Sequence, residues 1–204
     1  MTKKAILLGY GGSARELATW LPELGYHEIV YLDDVVSNPH VIGTFAQCIE
    51  HAADGVFATI GNYKSMPQRL SVLQAIPESR FAQALSPKAA VYAEHIGVGC
   101  LVYPFSTICS DARLGDFCLV YHSCTVSHDS VVGRNCIISN GAVVSGGVGI
   151  GDGCYIGANS TILEGIVVGK NSIIAAGATV IHDVPDGSIY YAPNKLSVNK
   201  YVAA

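Results

Sequence analysis

Aliphatic residues recur at every sixth position along the second half of this chain, and this period limits its fold more than any other feature. A fixed short period over such a length predicts a β-solenoid, in which each hexad forms one side of a triangular coil. Three hexads complete a coil, so the pattern predicts about five coils. The periodic positions are Ile96, Val102, Ile108, Leu114, Val120, Val126, Val132, Ile138, Val144, Ile150, Ile156, Ile162, Val168, Ile174 and Val180.

The fourth residue after each aliphatic is mostly small, and we expect it to face the coil interior as well. Five of the seven cysteines occupy such positions, where a thiol packs as a small apolar group. The chain has no CxxC pair and an odd number of cysteines, so neither disulfides nor a metal site are expected. The predicted interior residues are Cys100, Ser106, Ala112, Cys118, Cys124, Ser130, Cys136, Ala142, Val148, Cys154 and Ser160.

The third residue after each aliphatic should lie where the coil turns. Glycine, asparagine and aspartate tolerate the left-handed backbone angles of such turns, and they occupy most of these positions. Asp129 in the stretch VSHDSVVG therefore has a structural explanation of its own. The turn residues are Gly99, Asp111, Asp129, Asn135, Gly141, Gly147, Gly153, Asn159, Gly165, Asn171, Gly177 and Asp183.

The second residue after each aliphatic should point outward from a corner, and these residues form three stacked columns. The first column alternates in charge, which is typical of a solvated edge. The other two contain small residues and histidines and are candidates for subunit contact and chemistry. The columns read Val98, Asp116, Arg134, Asp152, Lys170; Pro104, His122, Asn140, Ala158, Ala176; and Ser110, His128, Gly146, Glu164, His182.

Before Ser86 the pattern is different, because strand-like runs alternate with helix-like ones. KKAILLGY, EIVYLDD and GVFATIGN read as strands, whereas SARELATWLPELG and MPQRLSVLQAI read as helices. This alternation predicts a small parallel βαβ sheet, a Rossmann-like half. We therefore expect an α/β domain over residues 1–85, followed by a β-helix domain with a C-terminal tail over residues 86–204.

Three loops of the predicted α/β domain could form one binding pocket. Gly9, Gly11 and Gly12 follow a strand and precede a helix, so backbone amides there could bind phosphate, although Ala14 stands in place of the last glycine of G-x-G-x-x-G. Asp33 and Asp34 end the second strand, where carboxylates could accept hydrogen bonds from a ribose or base; an ordinary polar strand end is the alternative. Gly61 and Asn62 are expected to line the same pocket.

Charge and hydropathy exclude some partners. The formal net charge of −4 gives no basic field for nucleic acid or an anionic membrane. The apolar run Ala5–Leu8 is too short for a signal peptide or a membrane span. We therefore expect a cytoplasmic protein without membrane insertion.

Over nearly all of its length the chain resembles the left-handed β-helix acyltransferases of the PglD/NeuD type, which acetylate nucleotide sugars or sialic acid. The hexads from about Ser86 to Leu196 and the motifs GYGGSARE, LDD and IGN carry the resemblance. It implies left-handed coiling, acetyl-CoA as cosubstrate without a metal, a nucleotide-linked amino sugar as acceptor, and a homotrimer.

The resemblance also implies roles for individual residues. His128 would be the general base and Asp129 its partner, while the amide of Gly146 would contact the acetyl thioester. Ala158 and Ala176 would belong to the same cofactor site. The glycine loop with Ser13, the Asp33–Asp34 pair and the Gly61–Asn62 pair would bind the nucleotide sugar; Ser13 stands where relatives often have histidine.

Three alternatives remain open at this stage. Sugar O-acetylation of the sialic-acid type differs only in the acceptor atom. A non-catalytic nucleotide-binding scaffold would fit the departure at Ser13. A zinc hydratase of the γ-carbonic-anhydrase type shares the β-helix but needs three converging histidines, whereas His122 and His128 fall at different corners.

Overall fold

The computed structural model describes residues 2–191 and 195–198. The chain forms two compact units, Met1–Ala84 and Leu85–Ala204. The boundary expected from the sequence falls one residue later. Within the expected C-terminal tail, residues 192–194 and 199–204 lie outside the described part of the chain.

The first unit is a four-stranded parallel sheet in the order β3-β2-β1-β4. Its central strand, β1, buries Ala5 to Leu8 completely, as a parallel strand covered on both faces does. The elements are β1 (Lys3–Leu8), α1 (Gly12–Trp20), β2 (Tyr26–Leu32), β3 (Val41–Gly43), β4 (Gly55–Ala58) and α2 (Met66–Ala75), with 3₁₀ turns at Leu21–Leu24, Phe45–Glu50, Tyr63–Ser65 and Glu78–Arg80.

This unit differs from the sequence prediction in two places. The first helix ends at Trp20 and continues only as a 3₁₀ turn, because Pro22 cannot donate the next helical hydrogen bond. The short strand β3 was not predicted, since its three residues carry no alternating pattern. After β3 the chain crosses to the other side of β1, so the carboxyl ends of β1 and β4 flank the switch point where open α/β sheets bind ligands.

The second unit is a parallel β-solenoid whose coils stack through three sheets of five, eight and six strands. Together with the first unit, it confirms the predicted fold class, an α/β sheet followed by a left-handed parallel β-helix. The strands are β5 (Ala84–Leu85), β6 (Ala90–Val91), β7 (His95–Ile96), β8 (Leu101–Val102), β9 (Thr107–Ile108), β10 (Arg113–Leu114), β11 (Leu119–Val120), β12 (Thr125–Val126), β13 (Val131–Val132), β14 (Ile137–Ile138), β15 (Val143–Val144), β16 (Gly149–Ile150), β17 (Tyr155–Ile156), β18 (Thr161–Ile162), β19 (Val167–Val168), β20 (Ile173–Ile174), β21 (Thr179–Val180), β22 (Ser188–Tyr191) and β23 (Lys195–Val198).

The solenoid has about six turns rather than the expected five, because its first turn breaks the six-residue step. Val91 pairs with Ile108, 17 residues later, whereas Val126 pairs with Val144, 18 residues later. The last turn is shortened as well, since Val168 pairs with Val184. Asp183 therefore lacks the left-handed conformation expected of it.

The interior prediction is confirmed, because all eleven residues of the second inward column are buried. The cysteines also donate hydrogen bonds to corner carbonyls of the next coil, as Cys136 Sγ does to Gly151 O at 3.1 Å. Burial raises the pKa of the Cys124 thiol to about 11, so this thiol stays protonated at neutral pH. The column therefore both fills the coil and satisfies backbone carbonyls.

The turn prediction is also confirmed, and the structure extends it to residues without the usual tolerance. Phe105, Phe117 and Ser123 adopt the same left-handed angles as the predicted glycines and asparagines. Coil register therefore fixes the backbone at these positions, whichever residue occupies them.

One corner is tight enough to require glycine. A Cβ on Gly115 would lie 2.7 Å from Arg134 N, in the backbone of the next coil. We expect Gly115→Ala to lower the free energy of unfolding by about 1–3 kcal/mol. Gly149→Ala is the control, because its Cβ would meet nothing closer than Val167 Cγ2 at 3.9 Å, and it should change stability by less than about 0.5 kcal/mol. Urea denaturation measures both, and equal effects would contradict the tight-corner geometry.

Candidate active site

The structure pairs His128 with Asp129 at the corner between β12 and β13. His128 Nδ1 lies 2.8 Å from Asp129 Oδ2, and both side chains are 68% exposed. Because a carboxylate only accepts hydrogen bonds, Nδ1 carries the proton in this pair and Nε2 keeps its lone pair. The corner therefore presents an oriented, solvent-accessible base.

The imidazole of His128 lies directly over Gly146 of the next coil. A Cβ on Gly146 would be 2.7 Å from His128 Cε1 and 2.9 Å from Nε2, so only glycine fits beneath the ring. The backbones are also joined here, since Gly147 N–H donates to His128 O at 3.0 Å. The structure thus brings these two predicted residues together.

The Gly146 N–H is uncapped, unlike its equivalents at the other two corners. Arg134 N–H donates to Asp152 Oδ1 and His122 N–H donates to Asn140 Oδ1, each in the next coil. Among the hydrogen bonds of the described residues, none uses the Gly146 N–H. A donor beside the imidazole therefore remains available to a bound molecule.

A cavity of about 350 Å³ lies beside Asp129 on the face that carries β7, β10 and β13. Glu94, Asp111 and Arg113 line it together with Asp129. The sequence analysis recorded Asp111 only as a turn residue and missed Glu94, because the 17-residue first coil hides its place in the column of Asp111 and Asp129. The signal that could have identified the cavity is this stack of three carboxylates.

Ala158 and Ala176 do not join His128 in one chain. They lie at the corner between β17 and β18 and its counterpart one coil later, where Gly177 N–H donates to Ala158 O. That corner is shared with His122, whose ring lies 5.1 Å from that of Tyr103 between centroids. The residues predicted for the cofactor site are thus divided between two corners.

In the first unit the loops after β1 and β4 meet as predicted. A Cβ on Gly9 would lie 3.5 Å from Ile60, next to Gly61. Gly11 and Gly12 face open space, with Ser13 in the first turn of α1. Asn62 Oδ1 accepts hydrogen bonds from the backbone N–H groups of the two residues that follow Tyr63, so it caps that turn.

The Asp33 carboxylate is engaged with the backbone. Oδ2 accepts from Tyr10 N–H, and Oδ1 accepts from the N–H groups of Val35 and Val36. Burial raises the pKa of Asp33, but these three hydrogen bonds outweigh it and hold the pKa below its usual range. Asp34 Oδ1 accepts from Phe45 N–H at 2.9 Å.

Two further searches of the described part of the chain bear on the class of protein. No helix there is long and apolar enough to cross a membrane. No group of three or more histidine, cysteine, aspartate or glutamate side chains there could hold a metal ion.

Comparison with known proteins identifies the solenoid. Residues 111–146 and 147–182 match the family model described as bacterial transferase hexapeptide, six repeats. With the coil geometry above, this match assigns the solenoid to the hexapeptide-repeat transferases. No curated protein sequence matches the chain.

Solved structures resemble the chain over almost its whole length and confirm the resemblance to nucleotide-sugar acetyltransferases. The acetyltransferase domain of PglB from Neisseria gonorrhoeae, in complex with acetyl coenzyme A, is 25% identical, with a TM-score of 0.87 over 97% of this chain and 100% of that one. WeeI from Acinetobacter baumannii is 25% identical, with a TM-score of 0.81 over 96% and 100%. A mutant of perosamine N-acetyltransferase from Caulobacter crescentus, with CoA and GDP-perosamine, shares the fold at 22% identity, with a TM-score of 0.86 over 95% and 96%.

The contact between His128 and Gly146 can be tested directly. We expect Gly146→Ala to push the imidazole off its position and break the bond to Asp129, because the new Cβ would overlap the ring. A crystal structure of the variant, or NMR of ¹⁵N-labelled histidine, measures this. Gly149→Ala, which adds a methyl group in open space, should leave the ring unmoved. A ring that keeps its bond to Asp129 in Gly146→Ala would contradict the stacking.

Proposed function

We propose that this chain is an acetyltransferase that transfers the acetyl group of acetyl-CoA to the amino group of a nucleotide-linked amino sugar. The carrying observation is the imidazole of His128, held by Asp129 beside the uncapped N–H of Gly146. The similarity to the PglB acetyltransferase domain, whose structure contains acetyl coenzyme A, supports the choice of donor. A thioester-cleavage assay with acetyl-CoA and nucleotide-linked amino sugars tests the proposal.

In this proposal His128 Nε2 removes a proton from the acceptor nitrogen as that nitrogen attacks the thioester carbonyl. Asp129 holds the ring in the required tautomer and stabilises the imidazolium that forms. The carbonyl oxygen becomes an oxyanion, and the Gly146 N–H is the free donor positioned to stabilise it. The imidazolium then returns its proton to the leaving CoA thiolate.

The cavity beside Asp129 favours an amine over a hydroxyl as the acceptor. Its carboxylates, from Glu94, Asp111 and Asp129, attract a protonated amine and give no such preference to a neutral hydroxyl. This observation favours N-acetylation over O-acetylation of the sialic-acid type. A non-catalytic scaffold would have no need of an oriented base over a glycine.

The first unit, residues 1–85 in the sequence prediction, is proposed to bind the nucleotide. Gly9, Gly11 and Gly12 lie at the carboxyl end of β1 with α1 starting beside them, so backbone N–H groups are available to phosphate oxygens. Ser13 supplies a hydroxyl where relatives often have histidine. Residues 86–204 would then bind acetyl-CoA and carry out the transfer.

We also propose a homotrimer, because the expected site is divided in one chain. His128 and Gly146 lie at one corner, whereas Ala158 and Ala176 lie at another. Three solenoids side by side would place one corner of each chain against the other corner of its neighbour and complete three sites.

The assembly has a simple test in solution. Light scattering at micromolar concentration should give about three times the 21.4 kDa of one chain. A mass equal to that of one chain would contradict a site completed by a neighbour.

The base has a mutational test. His128→Ala should lower the acetyl-transfer rate by about 10² to 10⁴ without unfolding the chain, because the side chain is exposed. Asp129→Asn should cost less, since asparagine keeps the left-handed turn and loses only the charge. His122→Ala is the matched control at the other histidine-bearing corner and should retain most activity. Steady-state kinetics measures all three; normal turnover in His128→Ala would refute the assignment.

A further inference from the structure

An aromatic cluster lies at the carboxyl edge of the parallel sheet, and the sequence analysis missed it. Tyr10, inside the glycine loop, meets the buried ring of Tyr31 edge to face, with centroids 4.8 Å apart. The ring of His40 lies nearly parallel to that of Tyr10, at 6.4 Å and 23°. The guanidinium of Arg15 lies 6.0 Å from the Tyr10 centroid. Tyr10 is half-buried, whereas His40 and Arg15 are exposed.

Asp33 builds this cluster by joining the two loops that carry it. One oxygen binds the N–H of Tyr10 in the loop after β1, and the other binds Val35 and Val36 in the loop after β2. The carboxylate thus uses three of its roughly four lone-pair positions on the backbone. It has little capacity left to accept a hydrogen bond from a nucleotide base.

We infer that the base of the nucleotide stacks on Tyr10, beside His40 and Arg15, and that Asp33 positions these loops instead of reading the base. The inference rests on the proposed function. In sheets of this kind the phosphate binds beside the loop after the first strand, so a base attached through a ribose falls within reach of the loop after β2. A supported aromatic ring, a second near-parallel ring and a guanidinium are the groups that bind planar bases there.

Stacking has a consequence for specificity. Every base offers a π face, so a stacking platform accepts different bases, whereas hydrogen bonds to a base edge distinguish them. The site should therefore bind UDP, dTDP and GDP with similar affinities, within about tenfold of one another. Asp34 is the rival, because only one of its oxygens has a backbone partner, Phe45 N–H.

Calorimetric titration of the full chain with UDP, GDP and pyrophosphate tests the inference. Tyr10→Ala should weaken UDP and GDP about 5- to 150-fold, the usual effect of removing one aromatic platform, and leave pyrophosphate unchanged. Tyr10→Phe should bind as the unmodified chain does. Tyr10→Leu, which keeps apolar contact with Tyr31, should show the same base-dependent loss if Tyr10→Ala fails to fold.

Two variants serve as controls. His27→Ala removes an exposed histidine at the opposite end of β2 and should bind both nucleotides normally. Asp34→Asn should lower neither affinity selectively; a loss confined to one base would overturn the inference in favour of carboxylate reading. Unchanged UDP affinity in folded Tyr10→Ala would overturn the inference alone. Failure of the unmodified chain to bind any of the three ligands would overturn the nucleotide part of the proposed function as well.

Discussion

The structure of the second unit depends on parallel backbone hydrogen bonding between coils 18 residues apart. Each strand is only two residues long, so no strand is stable alone, and every coil needs the next one to satisfy its backbone and bury its aliphatic side chains. That dependence fixes the register. It also fixes the backbone at the corners so firmly that Phe105 and Phe117 adopt left-handed angles that bulky residues normally avoid.

The candidate site uses this register instead of interrupting it. At two corners the outward N–H is capped by an aspartate or asparagine of the next coil, whereas at the His128 corner the next coil supplies Gly146. The missing side chain leaves space for the imidazole and leaves a donor uncapped. A single change of residue type in one column thus converts a structural corner into one that can hold a base beside an oxyanion donor.

Much of this was predictable from the sequence, and the failures have identifiable physical causes. The six-residue period predicted the interior column, the turns and the pairing of His128 with Gly146. It could not predict the first coil, because one missing residue between Val91 and Ile96 shifts the register there. The carboxylate cavity was missed for the same reason. In the first unit, strand patterns located the glycine loop and Asp33 but not the aromatic cluster around Tyr10.

The sequence by itself determined the two-part architecture and the corner on which the candidate base stands, because hydrophobic period and coil register are properties of residue spacing. Only the tertiary structure decided what the polar residues do. Asp33 is committed to three backbone amides, and Glu94 joins Asp111 and Asp129 around one cavity. Neither fact is contained in spacing, since a polar side chain's role depends on which backbone groups and neighbours the folded chain brings within hydrogen-bonding distance.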